Sequence, residues 1–449
     1  MLLFPPPRKA HRHLVVPIAM CLFVPEAYSR TQSKDYNLDI SGEIRIGYVT
    51  RDNAGDSNKS FDFLSNSNRN DNDFLYTRSS LSVALKADER TSARVTIRDQ
   101  RAFGDQRDPS PREDWIDLYE AYLDVGLTDV STLRLGRQEV AFGSRLIVGT
   151  PNYRDGRSYD AVHLKLKGER HTLNAAIGRQ VERDRASFNL SSSQPWMAAI
   201  FLDSPASHDD HLSWDSTLAF KHQNTDSRNP IDIGTWGIRL KSPKSISPWF
   251  WSAEAAYQFG SINRSNERLD HAAWLFQGRI GRKFADLPGS PTITLEYLHS
   301  PGDSDSNDGK SETWDLMFFG GAHPRSGRMD LTGWRNIQYL ALTTQAKPYQ
   351  GVTVGASTTG YWIENTQDGF YAQGGNSPRN RNGYGIRPEA SKDIGWEFML
   401  WAKWKHKAGF SLLIEAGHFA VGDYVEESLA ASGGAENAQL LSITGGYKF

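Results

Sequence analysis

AQLLSITGGYKF, residues Ala438 to Phe449, closes the chain and decides how the rest is read. Leu441, Ile443, Gly445, Tyr447 and Phe449 fall on one face, and Ser442, Thr444, Gly446 and Lys448 on the other. A period of two is that of a β-strand with one apolar face. Working back toward the amino end, the same alternation recurs between clusters of Gly, Pro, Asn, Asp and Ser. The segments fall at 37–50, 74–88, 90–101, 116–126, 131–142, 157–168, 170–181, 195–204, 211–222, 232–242, 249–260, 270–283, 290–300, 335–347, 350–363, 392–405, 408–420 and 438–449.

The connections between them sort by length. Arg51–Asp73, Ala102–Trp115, Gly143–Gly156, Glu182–Gln194, Pro301–Trp334, Glu364–Ser391 and Val421–Asn437 are long and polar. Asp88-Glu89, Leu127–Val130, Gly168-Glu169, Pro348-Tyr349 and Lys405–Lys407 are tight. Long and tight connections alternate, for which a soluble sandwich or propeller has no cause. Barrels of the bacterial outer membrane have short periplasmic turns and long external loops. A last strand ending in Phe, with Tyr two before it, resembles the closing strand of such barrels. The expected fold is all-β: a transmembrane antiparallel β-barrel of about 18 strands.

Composition agrees. Hydrophobic residues make up only 38% of the 449, yet 11% are aromatic and 13 are Trp. A barrel needs apolar side chains only at alternate positions, with aromatic girdles at both interfaces. No apolar run approaches the ~20 residues of a membrane helix. A net charge of −2 excludes a strongly basic nucleic-acid binder. Residues 1–29 read as a signal peptide: Arg8, Lys9 and Arg12 precede an apolar run from Leu14 to Val24, and Ala27-Tyr28-Ser29 offers a cleavage site. Residues 30–449 then form the barrel. The single cysteine, Cys21, falls within that leader, which leaves the exported chain no disulfide.

Catalytic and metal motifs are wanting. There is no HExxH, CxxC, P-loop or GxSxG, so no cofactor and no metal is expected. Asp303 to Gly309 resembles a calcium loop, but its glycine is one position late and Trp314 stands where the closing Glu belongs. An external polar loop is the simpler reading. Trp249, Trp251, Trp396, Trp401 and Trp404 suit interfacial girdles better than sugar-stacking platforms.

If the apolar face of each strand meets lipid, the other lists the lumen. Charge facing lipid at mid-membrane would cost about 2–4 kcal/mol per Arg or Lys, so in-phase charges belong inside whatever the function. That places Arg45, Arg78, Arg94, Arg98, Arg134, Lys165, Arg239 and Arg279 inward, the candidate anion-selective set. Glu43, Glu120, Asp124, Glu254, Glu296, Glu397 and Glu415 are inward by the same rule. Acids crowd the second half of the strand order. They form either a wall facing the arginines or partners that hold them in place. Arg137 is out of phase and points lipidward, where it either snorkels to headgroups or is turned inward by a bulge.

Leu133 to Leu166, LRLGRQEVAFGSRLIVGTPNYRDGRSYDAVHLKL, resembles the alginate-export family of outer-membrane porins. The matching positions are Gly136-Arg137-Gln138, Phe142-Gly143, Arg145-Leu146-Ile147 and Arg157-Ser158-Tyr159-Asp160-Ala161-Val162. A weaker echo lies at His323, Asp330 and Arg335-Asn336. The resemblance implies a monomeric 18-stranded channel in a Gram-negative outer membrane, in contact with lipid and lipopolysaccharide. It would conduct an anionic uronate polymer or smaller anions, and polymer export would require periplasmic secretion partners. A general or organic-acid porin, or a barrel anchoring an enzyme or adhesin in its loops, are the competing readings. No plug domain precedes the first strand, so the lumen is open or narrowed only by loops such as Pro301–Trp334.

Overall fold

The computed structural model describes residues 37–53, 63, 73–104, 114–150, 156–182, 190–191, 195–204, 211–223, 230–264, 267–319, 327–371 and 389–449. The leader expected over 1–29 and the motif residue His323 lie outside them.

Eighteen long strands form one antiparallel sheet: β1 (Asn37–Asp52), β2 (Phe74–Lys86), β3 (Thr91–Phe103), β4 (Asp114–Thr128), β5 (Ser131–Gln138), β6 (Tyr159–Lys167), β7 (Thr172–Gln180), β8 (Trp196–Ser204), β9 (Ser213–Gln223), β10 (Ile231–Lys241), β11 (Trp249–Arg264), β12 (Glu267–Lys283), β13 (Thr292–Ser300), β15 (Ile337–Ala346), β16 (Val352–Ile363), β17 (Asp393–Lys405), β18 (Phe410–Val421) and β19 (Ala438–Lys448). A two-residue strand, β14 (Lys310–Ser311), lies in the loop after β13 and pairs in parallel with β12 at Asp270 and His271. Each long strand pairs with its chain neighbours, and β1 pairs with both β2 and β19. The sheet is therefore a closed barrel without an edge. The terminal Phe449 completes the seam: its carbonyl accepts from the Gly42 N–H at 3.0 Å, and its own N–H reaches the Gly42 carbonyl at 3.2 Å.

Alternation in sequence becomes alternation of faces. On β1, Leu38, Ile40, Ile44, Ile46 and Tyr48 stand exposed on the outer face, while Val49 and Arg51 are buried inward. On β19, Leu441 and Ile443 are exposed and Ser442 is buried. This inversion of the soluble pattern is what lipid requires of a barrel. No helix among the described residues is long and apolar enough to cross a membrane; the strands do so.

All eighteen expected segments are present, with their ends shifted by a few residues. The clearest departure is β5, expected to reach residue 142 and ending at Gln138. Gly136 there has φ +119°, and a Cβ would stand 2.3 Å from the Ala121 carbonyl oxygen, so only glycine lets β5 close on β4. Beyond Gln138 the chain leaves the wall for the lumen. A short helix, α1 (Asp423–Leu429), occupies a connection expected to be loop, and buries Tyr424, Val425 and Leu429. Trp401 also departs from the girdle expectation: it is buried on the inner face of β17, whereas Trp396 and Trp404 are exposed on the outer one.

Candidate functional site

Two loops fold into the lumen and meet there. The first, residues 139–150, buries Val140, Phe142, Leu146, Ile147 and Val148. Phe142 stacks on Phe201 of β8 with ring centroids 5.4 Å apart. Gly143, at φ +53°, sits where a Cβ would come within 2.8 Å of the Asp215 carboxylate on β9. The second loop, after β13, buries Trp314, Phe318, Met329, Leu331 and Trp334. A parallel bridge joins the two at Val148 and Phe318, with Gly149 N–H to Phe318 O at 2.9 Å and Phe318 N–H to Ile147 O at 3.1 Å. These contacts satisfy backbone groups that would otherwise be buried unpaired.

Inward acids hold these loops to the wall. Ser144 donates to Glu254 of β11 at 2.6 Å. Glu397 of β17, fully buried, accepts the backbone N–H groups of Arg328 at 2.8 Å and Met329 at 3.2 Å. Arg328 pairs with the buried Glu415 of β18, and its guanidinium lies 4.1 Å over the Trp401 ring. Lys221 of β9 donates to Asp315 at 2.9 and 3.1 Å, and Arg335 approaches the same carboxylate at 3.8 Å. Gln258 of β11 both donates to the Asp315 carbonyl and accepts its N–H, each at 2.7 Å. On β13, Glu296 accepts from Tyr339 at 2.6 Å and Gln277 at 3.0 Å.

Asp315 stands outside the strands, and its ionisation fixes the loop. Burial alone would raise its carboxyl, but Lys221 and Arg335 outweigh burial and hold it at about 2. A folded value below the ordinary carboxylate value of ~3.9 stabilises the docked loop fully above that pH and progressively less as pH falls toward 2. Single-channel conductance should therefore stay constant from neutrality to about pH 4 and become larger or noisier below it as the loop loosens. A step near pH 6 would place the controlling group elsewhere.

The wall of β1–β5 differs, being rich in arginine. Arg45 and Arg78 face each other across β1 and β2 and share Glu43, with Arg45 at 2.7 Å from it; Lys448 stands 3.8 Å away. Arg98 lies 3.3 Å over the ring of Tyr119, the extra residue where the β3–β4 register shifts. Tyr119 in turn donates to Glu139 at the root of the first inward loop. Arg134 is held by both oxygens of Asp124, at 2.7 and 2.9 Å, and lies 3.9 Å over Tyr122. Thr96 donates to Glu120 at 3.1 Å. Arg94 is half-buried beside Tyr122, its cross-strand partner, and makes no ion pair among the described residues.

Outside that wall the expected cations stand apart. Arg239 is bound by Asp215 at 2.6 Å, with Lys241 at 3.2 Å. Arg279, opposite Glu296 in register, and Lys165, opposite Asn174, are exposed inside the barrel near its tight-turn end. The structure thus brings together Arg45, Arg78, Arg94, Arg98 and Arg134, but neither Arg239, Arg279 nor Lys165 with them.

The family model described as alginate export matches residues 47–439, most of the chain. The chain belongs to the alginate export family. Solved structures share its fold. The BenF-like porin of Pseudomonas fluorescens Pf-5 superposes with a TM-score of 0.60 at 10% identity, over 92% of this chain and 98% of that one. Acinetobacter baumannii OccAB1 gives 0.60 at 10%, over 92% and 97%. Pseudomonas aeruginosa OccK11 (OpdR) gives 0.57 at 11%, over 92% and 96%. No curated protein matches by sequence. This alginate-export barrel is accordingly an outer-membrane porin of a Gram-negative bacterium, and a channel barrel rather than an enzyme.

The family block of residues 133–166 builds the root of the first inward loop. Gln138, fully buried, donates to the Gly136 carbonyl at 3.1 Å and the Ala161 carbonyl at 2.9 Å, locking β5 to β6 as the chain departs. Arg137 lies on the outer face, as its phase requires. It meets Asp160 directly across the strands at 2.8 and 3.1 Å, so the lipid-facing charge is neutralised by a neighbour. Arg145, at φ +69°, approaches the Thr150 carbonyl at 3.5 Å, and Arg157 donates to the Phe319 carbonyl of the second loop at 3.0 Å. Asn336 clamps the far end, giving hydrogen bonds to the Asn365 and Gly369 carbonyls at 2.8 and 3.0 Å. Alternation did not single out Lys221, although it is in phase with the inward Asp215. Arg328 and Asp315 lie on a loop, where no period exists to find them.

Proposed function

We propose that the barrel passively conducts anions through its arginine-lined lumen, and that its cargo is an acidic uronate polysaccharide such as alginate, or its oligomers. One observation carries the reading: arginines concentrate on the β1–β5 wall, while Glu254 of β11 and Glu397 and Glu415 of the nearby β17 and β18 are engaged by the inward loops. Acids committed to holding loops oppose a passing carboxylate less than acids facing water would. Arginine suits the task, since its planar fork can accept a carboxylate bidentately. In this account the barrel works as a monomer, with periplasmic partners delivering the polymer.

The paired loops favour a second reading, in which the narrowed passage admits small organic acids rather than polymer. Planar-bilayer recording with added mannuronate oligomers separates the two. A polymer conduit shows concentration-dependent block that high salt relieves, because exposed charges are screened. Steady current at every oligomer concentration would retire the polysaccharide in favour of small anions.

A further inference from the structure

Closure of the barrel sets one row of residues across the seam. In register it runs Lys405 of β17, Ser411 of β18, Gly446 of β19, Arg45 of β1 and Arg78 of β2. All are in phase with the inner face, since the exposed Leu400, Ile414, Ile443, Ile44 and Leu81 hold the opposite phase on the same strands. From β17 to β1 is three strand spacings of about 4.8 Å, roughly 14 Å. Only a serine and a glycine stand between the cationic ends, so the wall there is a shallow trough. A Cβ at Gly446 would come nearest the Ser411 hydroxyl, at 2.9 Å, and then the Ile44 carbonyl, at 3.8 Å, which leaves its lumenal side open.

The trough is cationic on balance. Lys403 and Lys405, successive inward residues of β17, are exposed and make no ion pair among the described residues. Lys448 is 72% exposed and stands 3.8 Å from Glu43, a carboxylate that Arg45 and Arg78 already hold. Glu415, further into the barrel, is buried and taken by Arg328. The chain-terminal Phe449 is tied into the seam at Gly42. Asp39 lies four residues below Glu43 on β1, roughly 13 Å away. Lys405, Arg328 and Arg45 all lie close enough to act on the charge of Lys403, which places these cations around one space. Like charges gathered in this way repel one another, and an anion lying among them relieves that repulsion.

We infer that this seam trough is a binding station for the carboxylate of an acidic saccharide, with Lys403 and Lys405 receiving it from one side and Arg45 from the other. The inference rests on the anion-conduit reading and extends it by naming where the saccharide is held. Arg45 is fixed by Glu43 before any ligand arrives, so binding has only the lysines to order. Gly446 leaves room for a sugar ring. Ser411, whose hydroxyl reaches the Gly446 carbonyl at a long 3.4 Å, can turn to a sugar hydroxyl instead.

The test is block of the whole barrel by mannuronate trimer in a planar bilayer. Lys403→Gln combined with Lys405→Gln should raise the half-blocking concentration about tenfold or more, the scale of a lost charged hydrogen bond. Lys403→Arg with Lys405→Arg should keep block near that of the wild type. Gly446→Leu fills the trough without touching a charge. It should weaken block comparably and leave the zero-current potential in potassium chloride where it was. Lys283→Gln removes an exposed cation at the same periplasmic end but outside the trough, and should change block little. Unchanged block in either the lysine pair or Gly446→Leu, or an equal loss in Lys283→Gln, would overturn the station while leaving the anion conduit standing. No block of the wild-type barrel would remove the polysaccharide reading and the station with it.

Discussion

Arg78→Glu combined with Arg98→Glu should reverse the ion preference of the channel, moving its zero-current potential in a salt gradient from the anion side to the cation side. Each change alters the charge by two units. An ion passing about 5 Å away in water would feel roughly 1.7 kcal/mol from each, a factor of about 15 in local occupancy before screening. The two sites act differently. Arg98 is half-buried over Tyr119, so its replacement changes the lumen directly. Arg78 is almost wholly covered and bound to Glu43, so it acts through its field. A glutamate there would also repel Glu43. The double variant is therefore read by reversal potential, with the single Arg98→Glu variant as the less disruptive check. Selectivity unchanged in both would mean that the ion path does not run along the β1–β5 wall.

The second large effect is expected at Asp315→Asn. Asp315 is buried and receives Lys221, with Arg335 close by. Removing its charge leaves Lys221 buried and uncompensated, and breaking a buried pair from one side typically costs about 3–5 kcal/mol. The barrel itself should survive, because its strand hydrogen bonds do not involve this residue. The loss should fall on loop docking: Gln258 would be left to hold the loop to β11, and the bridge between Val148 and Phe318 would loosen. Open-state conductance should rise, with added noise, while heat resistance of the folded barrel changes little. A variant with wild-type conductance but lowered barrel stability would show that Asp315 serves the wall and not the loop.

Much of this molecule is legible in the sequence because lipid enforces the simplest periodicity. Ser442 between Leu441 and Ile443 is inward because its neighbours must meet lipid, and no tertiary information is needed to place it. The same rule puts Glu254 and Glu397 inside, and strict alternation along β17 separates Trp401 from Trp396 and Trp404, which the girdle reading groups together. What alternation cannot give is depth. Whether an inward residue meets water or protein depends on loops that return from far along the chain. The partner of Glu254 is Ser144, 110 residues away, and that of Glu397 is the Arg328 backbone, 69 away. Neither contact leaves a local pattern. The end of β5 escapes the pattern for a related reason: Glu139 to Phe142 keep a period of two after the wall has ended, since Val140 and Phe142 pack against the lumen rather than lipid.

The account turns on the sign of one number, the zero-current potential of the purified wild-type barrel in a planar bilayer under a potassium chloride gradient. An arginine-lined passage whose inward acids on β11, β17 and β18 are engaged by loops predicts a potential of the sign set by chloride. A potential of the opposite sign, or none, would mean that the arginines are neutralised where ions pass, and would contradict the anion conduit at its root.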